Sequence, residues 1–144
     1  MIRGAREDDR AAIEALLRSA QLPIEGVADH LGSFFVAEDG DRTLAVGGLE
    51  AYGEVALLRS VAVALDARSS GLGSLVTHRV LDEARVRGMT SVYLLTTTAE
   101  RFFPRFGFEV IERSEVPQPM RASRELQGAC PASAIVMRLA LRSA

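Results

Sequence analysis

The chain has 144 residues, of which 48% are hydrophobic and 25% charged, and its formal net charge is −2. These values predict one soluble globular domain spanning 1–144, and the absence of a long basic run argues against nucleic acid as a partner. One cysteine excludes an internal disulfide, the two distant histidines lack metal-ligand spacing, and no apolar run approaches a membrane span. The charged N-terminus is unlike a signal peptide, so we expect a cytoplasmic location with no membrane and no metal.

The first half of the chain predicts a strand, an amphipathic helix, a second short helix and a meander of three strands. Apolar residues at helical spacing, from Ile13 to Ala20, indicate the amphipathic helix. Asp39-Gly40 indicates a hairpin turn. The last strand of the meander is apolar enough to be covered on both faces. These elements are expected at 2–5, 8–20, 25–31, 34–37, 43–51 and 55–63.

The second half predicts a long helix followed by alternating strands and short helices. Gly88 suits the C-terminal end of the long helix. The polar segment 114–132 contains three prolines and is expected to hold a short helix near 121–128. Helices interleaved with strands after a meander indicate an α/β domain with a mixed sheet. The other elements are expected at 71–87, 91–97, 99–106, 108–113 and 134–141.

The most informative segment is Arg68-Ser69-Ser70-Gly71-Leu72-Gly73-Ser74, where an apolar strand runs into the long helix. A helix start presents backbone N–H groups and the positive end of its dipole to an anion. Gly71 and Gly73 allow phosphate oxygens to approach the backbone closely. The loop lacks the Lys-Ser/Thr of a P-loop and the third glycine of a dinucleotide fingerprint. It therefore predicts a phosphate or pyrophosphate cradle, with an ordinary helix start as the alternative.

Two motifs resemble the GNAT superfamily of N-acetyltransferases. Arg68-x-x-Gly71-x-Gly73 after an apolar strand resembles the family's Arg/Gln-x-x-Gly-x-Gly/Ala signature. One strand later, Ala99-x-x-Phe102-Phe103-x-x-Phe106-Gly107-Phe108 resembles its A-x-x-F-Y-x-x-x-G-F segment. The order of the predicted elements also fits from end to end. The resemblance implies a mixed, mostly antiparallel central sheet with helices on both faces and a V-shaped splay between the two middle strands.

The resemblance also implies acetyl-CoA as co-substrate and direct attack of an amine on its acetyl group. The backbone of Val61 and Val63 would pair with the pantetheine arm like an added strand. The N–H of Val61 or Ala62 would stabilise the developing oxyanion. The implied cofactor-binding residues are Val61, Ala62, Val63, Arg68, Ser69, Ser70, Gly71, Leu72, Gly73, Ser74, Phe102, Phe103 and Arg105.

Two positions depart from the family's pattern. Ala64-Leu65 follows the strand where a proline is usual. Phe103 stands where the family often has a tyrosine that protonates the departing CoA thiolate. Because phenylalanine has no such proton, water or another group must serve, or the role goes unfilled. A thiol with a pKa of about 8.5 can leave without a dedicated acid.

Glu50 is the candidate general base, either directly or through water, because it lies on the strand next to the cofactor strand. Glu54 is the alternative base, and the alternative for Glu50 is that it is a solvated strand residue or the ion-pair partner of Arg59. An α-amino acceptor makes modest demands on a base, since roughly a tenth of it is neutral at pH 7. Arg59 and Ser60 interrupt an apolar strand, where a charge must be paired. The partner of Arg59 is either Glu50 or an anionic acceptor held in bidentate fashion.

Three more residues are candidates for contact with the acceptor. Thr97 ends a strand that borders the expected cleft, although threonine also favours strands and helix caps. Arg113 adjoins the segment 114–132, which could cover the acceptor site, although a single arginine there is more often surface. Cys130 is either an acceptor contact or a small buried apolar residue. A nucleophilic role for it would need a nearby base, and no histidine is obviously available.

Four segments further resemble the arsenic-resistance-operon group of N-acetyltransferases. This resemblance implies detoxification of an amino-acid-like arsenical or a phosphinothricin-like compound, each with an α-amino group and an anionic head. The alternatives are an acyl-CoA-binding sensor without turnover, a protein or peptide N-acetyltransferase, and a domain that binds neither ligand. A homodimer, formed by exchange of the last strand or extension of the sheet, is a possible assembly. The four segments are 48–53, 57–63, 94–99 and 130–134.

Overall fold

The computed structural model describes residues 1–141, and its centre is a seven-stranded sheet in the order β1-β2-β3-β4-β5-β7-β6. Neighbouring strands are antiparallel except for β4 and β5, which are parallel. The predicted mixed, mostly antiparallel sheet is therefore confirmed. The strands are β1 (Ile2–Gly4), β2 (Phe34–Asp39), β3 (Arg42–Tyr52), β4 (Val55–Val63), β5 (Ser91–Thr96), β6 (Glu109–Ile111) and β7 (Ile135–Ala140).

The three α-helices of the described part of the chain are α1 (Arg10–Ser19), α2 (Val27–His30) and α3 (Leu72–Val86). They lie within the segments 8–20, 25–31 and 71–87 where helices are expected from the sequence. The short helix expected at 99–106 is only a 3₁₀ turn, Phe103–Phe106. Pro104 has no N–H with which to continue an α-helix through this segment, and Gly107 at φ 103° ends the turn.

The short helix expected near 121–128 is likewise absent as a regular element. A 3₁₀ turn, Gln118–Ala122, is followed by a π-helical turn, Glu125–Ala129. Gly128 at φ 117° interrupts the second turn, since this left-handed conformation does not continue a helix. Two irregular turns, rather than a helix, therefore cover this face of the sheet, where Met120 belongs to the same apolar cluster as Leu57.

The core is divided between the two faces of the sheet, and β4 supplies side chains to both. Leu58 packs into the cluster under α3, whereas Leu57 packs into a cluster under the segment between β6 and β7. Ala62 belongs to a third cluster, beneath α1 and α2. The nearly continuous apolar sequence of β4 is thus explained by its coverage on both faces.

Two consecutive glycines in β3 allow close packing on both faces of the sheet. A Cβ atom on Gly48 would lie 2.5 Å from the Phe34 ring, and one on Gly47 would lie 2.5 Å from Cγ1 of Val76 in α3. A larger residue at either position would push one of the covering layers away from the sheet.

The sheet splits between its two middle strands. β4 and β5 pair only from Val55–Leu57 against Ser91–Tyr93. Beyond these pairs, β4 stays with β3 and β5 stays with β7. The register between β3 and β4 also shifts near Gly47, where Ser60 adopts φ 63°. Such an irregularity increases the local twist and turns the end of β4 away from β5, which produces the predicted V-shaped splay.

Candidate active site

The diverging ends of β4 and β5 enclose a cleft of about 820 Å³. One wall is the end of β4, and the other is formed by the end of β5 and the loop that follows it. The first turn of α3 lies at one side, and the α1–α2 loop with the segment after Glu125 lies at the other. Predicted site residues that line the cleft are Arg59, Ser60, Val61, Ala62, Val63, Arg68, Gly73, Thr97, Phe102, Phe103 and Cys130.

The β4 wall offers backbone hydrogen-bonding groups to the cleft. Ala62 and Val63 pair with β3 on one side, while pairing with β5 on the other side ends at Leu57. The peptide groups of the last β4 residues that point toward β5 therefore have no strand beside them. An extended ligand can bind such an edge as an added strand, so the wall suits a pantetheine arm.

The loop before α3 has the backbone conformation of an anion site. Ser69 at φ 70° and Gly71 at φ 84° are both left-handed, which turns successive N–H groups toward a common side. In the part of the chain that the structure describes, the first amide from position 69 onward with a protein acceptor is that of Leu75, which donates to the Gly71 carbonyl at 3.0 Å. Ser69, Ser70 and Gly71 are exposed. The preceding amides are thus open to a diphosphate.

Aromatic and cationic side chains surround this loop. Arg105 Nη2 donates to Ser74 Oγ at 3.1 Å, and its guanidinium lies 5.0 Å from the centre of the Phe102 ring. Arg68 Nε lies 3.4 Å from the Val63 carbonyl oxygen. Arg105 therefore lies beside the loop rather than in the cleft lining.

Arg59 is the centre of a buried polar cluster. Its Nη1 donates to Glu50 Oε2 at 2.8 Å and to the Glu25 carbonyl at 2.6 Å. Its Nη2 donates to the Pro23 carbonyl at 3.1 Å, and its Nε donates to Ser60 Oγ at 2.9 Å. Four of its five N–H groups thus have partners among the described residues. Pairing with Glu50 is the alternative that the structure shows, and a bidentate grip on an acceptor would require breaking these bonds.

The carboxylate of Glu50 is occupied and lies outside the cleft lining. Tyr52 donates to one oxygen, on which His30 Nε2 also approaches to 3.7 Å, and Arg59 donates to the other. Burial, with the Glu50 carboxylate adding to it, raises the pKa of the Tyr52 hydroxyl. A base at Glu50 would have to act through water, and its catalytic role stays a prediction. Glu54, the alternative base, lies in the β3–β4 turn at the far end of β4.

Glu125 is a site residue that the sequence did not reveal. It lines the cleft, is 3% exposed, and places Oε2 at 3.5 Å from Arg59 Nε. Burial raises its pKa to about 7, the nearby Glu50 carboxylate adds to the rise, and Arg59 opposes it. Burial also raises the pKa of the neighbouring Cys130 thiol to about 12, so this thiol is not an activated nucleophile. The only cue to Glu125 was that its segment joins the last two strands.

The structure places the other predicted acceptor residues in two different cavities. Thr97 lines the cleft, whereas Arg113 lies outside it and lines a second cavity of about 360 Å³ together with Arg121. Arg113 begins a 3₁₀ turn just after β6, the strand at the edge of the sheet beyond β7, and this place in the chain keeps it outside the cleft. The sequence also missed Gln21, in the α1–α2 loop. Within residues 1–141, the non-glycine residues with positive φ are Gln21, Ser60 and Ser69. Gln21 and Ser60 line the cleft, and Ser69 lies in the anion loop.

None of the helices in residues 1–141 is long and apolar enough to cross a bilayer. Within the same part of the chain, no three side chains of histidine, cysteine, aspartate or glutamate come together in a way that could hold a metal ion.

Comparison with known proteins places this geometry in context. A family model described as an acetyltransferase (GNAT) domain matches residues 30–110, more than half of the chain. An uncharacterized N-acetyltransferase, CT2212 of Chlorobaculum tepidum, is 27% identical over 81% of this chain and 80% of its own length. An amino-acid acetyltransferase of Neisseria meningitidis is 25% identical over 88% of this chain, which spans only 31% of that protein.

The fold is shared with solved structures as well. N-acetylglutamate synthase of Neisseria gonorrhoeae, complexed with coenzyme A and N-acetyl-glutamate, superposes with a TM-score of 0.85 over 99% of this chain and 35% of that protein, at 21% sequence identity. The matched range of the family model contains β4, the anion loop and the phenylalanine segment, which are the parts that build the donor side of the cleft.

Proposed function

The chain belongs to the GNAT acetyltransferase family, and from this premise we propose that it moves the acetyl group of acetyl-CoA to the α-amine of a small amino-acid-like molecule. The observation that carries the proposal is the cleft between β4 and β5, which joins the exposed anion loop to a pocket beside the buried carboxylate of Glu125. The donor occupies the side of the loop, and the acceptor occupies the side of Glu125 and Cys130.

The residues of the donor side fit a CoA molecule. The open amides of the anion loop would hold the diphosphate, and the free edge of β4 would hold the pantetheine. Gly73 lies where an added Cβ would be 3.6 Å from Val63 and 3.7 Å from Phe102, so a side chain there would narrow the passage between them. When bound, acetyl-CoA supplies an activated thioester. An N–H of Val61 or Ala62 would stabilise the negative charge that develops on its carbonyl oxygen.

The acceptor side favours a small molecule with an amine. Gln21 and Pro23 from the α1–α2 loop and Cys130 and Pro131 from the segment before β7 line this end of the cleft. The similarity to amino-acid acetyltransferases supports an α-amino acid. The sequence resemblance to the arsenic-resistance-operon group supports an amino-acid-like arsenical or phosphinothricin as the natural acceptor.

The test is release of CoA thiol from acetyl-CoA in the presence of single amines. The panel contains the common α-amino acids, phosphinothricin, an amino-acid arsenical and a short peptide with a free N-terminus, and each positive amine is repeated with its α-amine blocked. We expect turnover with one or more small α-amino acids and none with their blocked forms. Turnover with the peptide alone would replace the proposal by a peptide N-acetyltransferase.

One observation favours a second candidate, an acyl-CoA-binding sensor. Phe103 lines the cleft without a hydroxyl, so it offers no proton to a departing thiolate. Binding of CoA without thiol release for any amine of the panel would establish the sensor. Steady turnover of any amine would exclude it.

A further inference from the structure

We propose that Glu125 is the catalytic group that accepts the proton from the ammonium of the acceptor, so that the base of the reaction lies between β6 and β7 rather than on β3. The inference rests on the proposed function. Its first support is position, because Glu125 is the only acidic residue among those that line the cleft within the described part of the chain. An acceptor that enters as a cation meets this carboxylate and no other.

The second support is the division of charge around Arg59. Two carboxylates, of Glu50 and Glu125, share this one guanidinium. Glu50 has the hydrogen-bonded contact at 2.8 Å and a second donor in Tyr52, whereas Glu125 is 3.5 Å from the nearest guanidinium nitrogen. Glu50 is thus held as the partner of Arg59. A carboxylate can accept about four hydrogen bonds, so Glu125 can accept from an ammonium in addition to its side-chain hydrogen bond with Cys130, and that ammonium would restore the charge balance of the cluster.

The third support is the proton affinity of the group in these surroundings. The titratable and charged neighbours of Glu125 are Arg59, Glu50, Cys130 and Glu25, and burial outweighs them to raise its pKa to about 7. Compared with an ordinary glutamate of pKa 4.5, a pKa of about 7 makes proton transfer from any given ammonium less unfavourable by about 300-fold. The environment makes Glu125 a far better base than an exposed glutamate would be.

The step balances as follows. The acceptor ammonium gives one proton to a Glu125 oxygen and becomes a neutral amine. The amine nitrogen forms a bond to the acetyl carbon of acetyl-CoA while the carbon–sulfur bond breaks and the electron pair leaves with sulfur. The second proton lost from nitrogen goes to the thiolate, and the proton on Glu125 passes to solvent before the next turnover.

The experiment compares Glu125→Gln with Glu109→Gln, the same change at an exposed residue of β6 outside the cleft. The acceptors are the best α-amino acid of the panel and aminoacetonitrile, whose amine is already neutral at pH 7. With the amino acid, kcat/KM of Glu125→Gln should fall by about 100-fold or more. With aminoacetonitrile the loss should shrink to about threefold. Glu109→Gln should match the wild type with both, and CoA affinity should be unchanged in both variants.

The dependence on the acceptor separates a base from a structural role. An unchanged kcat/KM in Glu125→Gln, or an equal loss with both amines, would overturn the inference while leaving the proposed function in place. A wild-type protein that binds CoA but acetylates no amine would overturn the proposed function, and the inference with it. If Glu125→Gln does not fold, as judged by circular dichroism, Glu125→Asp takes its place. It should lose about tenfold with the amino acid only, and any other pattern refutes the role.

Discussion

Arg59 is the residue on which the buried cluster depends. Arg59→Met would leave the carboxylates of Glu50 and Glu125 buried without a cation, and such a loss typically costs about 3–5 kcal/mol. We expect the free energy of unfolding in urea to fall by that amount. Arg85→Met is the matched control, because Arg85 is half exposed and lies 3.4 Å from Asp82 on the surface of α3. The control should change stability by less than about 1 kcal/mol, and equal losses in the two variants would contradict the prediction.

Glu125 should also give the fold a pH dependence. Its pKa in the folded protein is raised from 4.5 to about 7, so the folded state binds this proton more tightly than the unfolded chain. The resulting stabilisation is complete below pH 4.5 and is lost as the pH rises through 7. The melting temperature of the wild type minus that of Glu125→Gln should therefore decrease between pH 5 and pH 8. A difference that is constant over this range would show that the carboxyl titrates normally.

The roles of individual residues are what the sequence predicts least completely. A charge within an apolar strand correctly singled out Arg59 as a residue that needs a partner, and its pairing with Glu50 was one of the two alternatives. Glu125 gave no such signal, because it lies in a polar segment where an acidic residue is ordinary. Its burial arises only when two turns fold this segment over the cleft.

A negative charge introduced at the start of α3 tests whether this helix end binds the diphosphate of CoA. Gly71→Glu would place a carboxylate beside the backbone amides that we expect to bind the diphosphate. Because the two negative charges repel each other, we expect no measurable CoA binding by calorimetry. Gly88→Glu is the control at the opposite end of the helix. Both glycines have positive φ, 84° and 77°, and neither has an atom within 4 Å of an added Cβ. Both variants therefore carry the same backbone strain. Normal CoA affinity in Gly71→Glu would remove the anion loop from the donor site.

The elements themselves were predicted to different degrees. Strand 55–63 and the helix that ends before Gly88 matched closely, because long apolar runs and glycine stops are strong local signals. The segment 121–128 became an irregular turn because Gly128 adopts a left-handed conformation, and the segment 99–106 holds only a 3₁₀ turn that the left-handed Gly107 ends. A glycine permits such a conformation without requiring it, so the sequence alone does not decide between helix and turn.

For the molecule as a whole, CoA should act as a stabilising ligand. At a concentration 100 times its Kd, a ligand that binds only the folded state adds about 2.7 kcal/mol. For a domain of this size we expect the melting temperature to rise by roughly 5–10 °C. Adenosine, which lacks the diphosphate and the pantetheine, should give a much smaller shift. No shift at millimolar CoA would contradict the assignment of the donor site.

The fold was predictable because its family resemblance rests on two motifs that lie close together in the chain. The acceptor pocket was not, because it combines Gln21 with Glu125 and Cys130, which are distant in sequence and meet only in the folded sheet. The same non-local assembly explains why Arg113, beside the right segment in sequence, faces a different cavity. Donor-side residues follow from local motifs, and on the acceptor side the sequence predicts Thr97 and Cys130 but not Gln21 or Glu125, all of which line the cleft.

The three residue pairs between β4 and β5 form a seam across the molecule. The half of the chain before the seam carries the anion loop and the free strand edge, and the half after it carries Glu125 and Cys130. Few backbone hydrogen bonds join the two halves of the sheet beside the cleft. Substitutions in the segment between β6 and β7 can therefore reshape the acceptor pocket without altering the CoA-binding residues. Directed evolution toward a new amine should therefore begin with positions 112–134 other than Glu125, and leave positions 60–74 and 102–105 untouched.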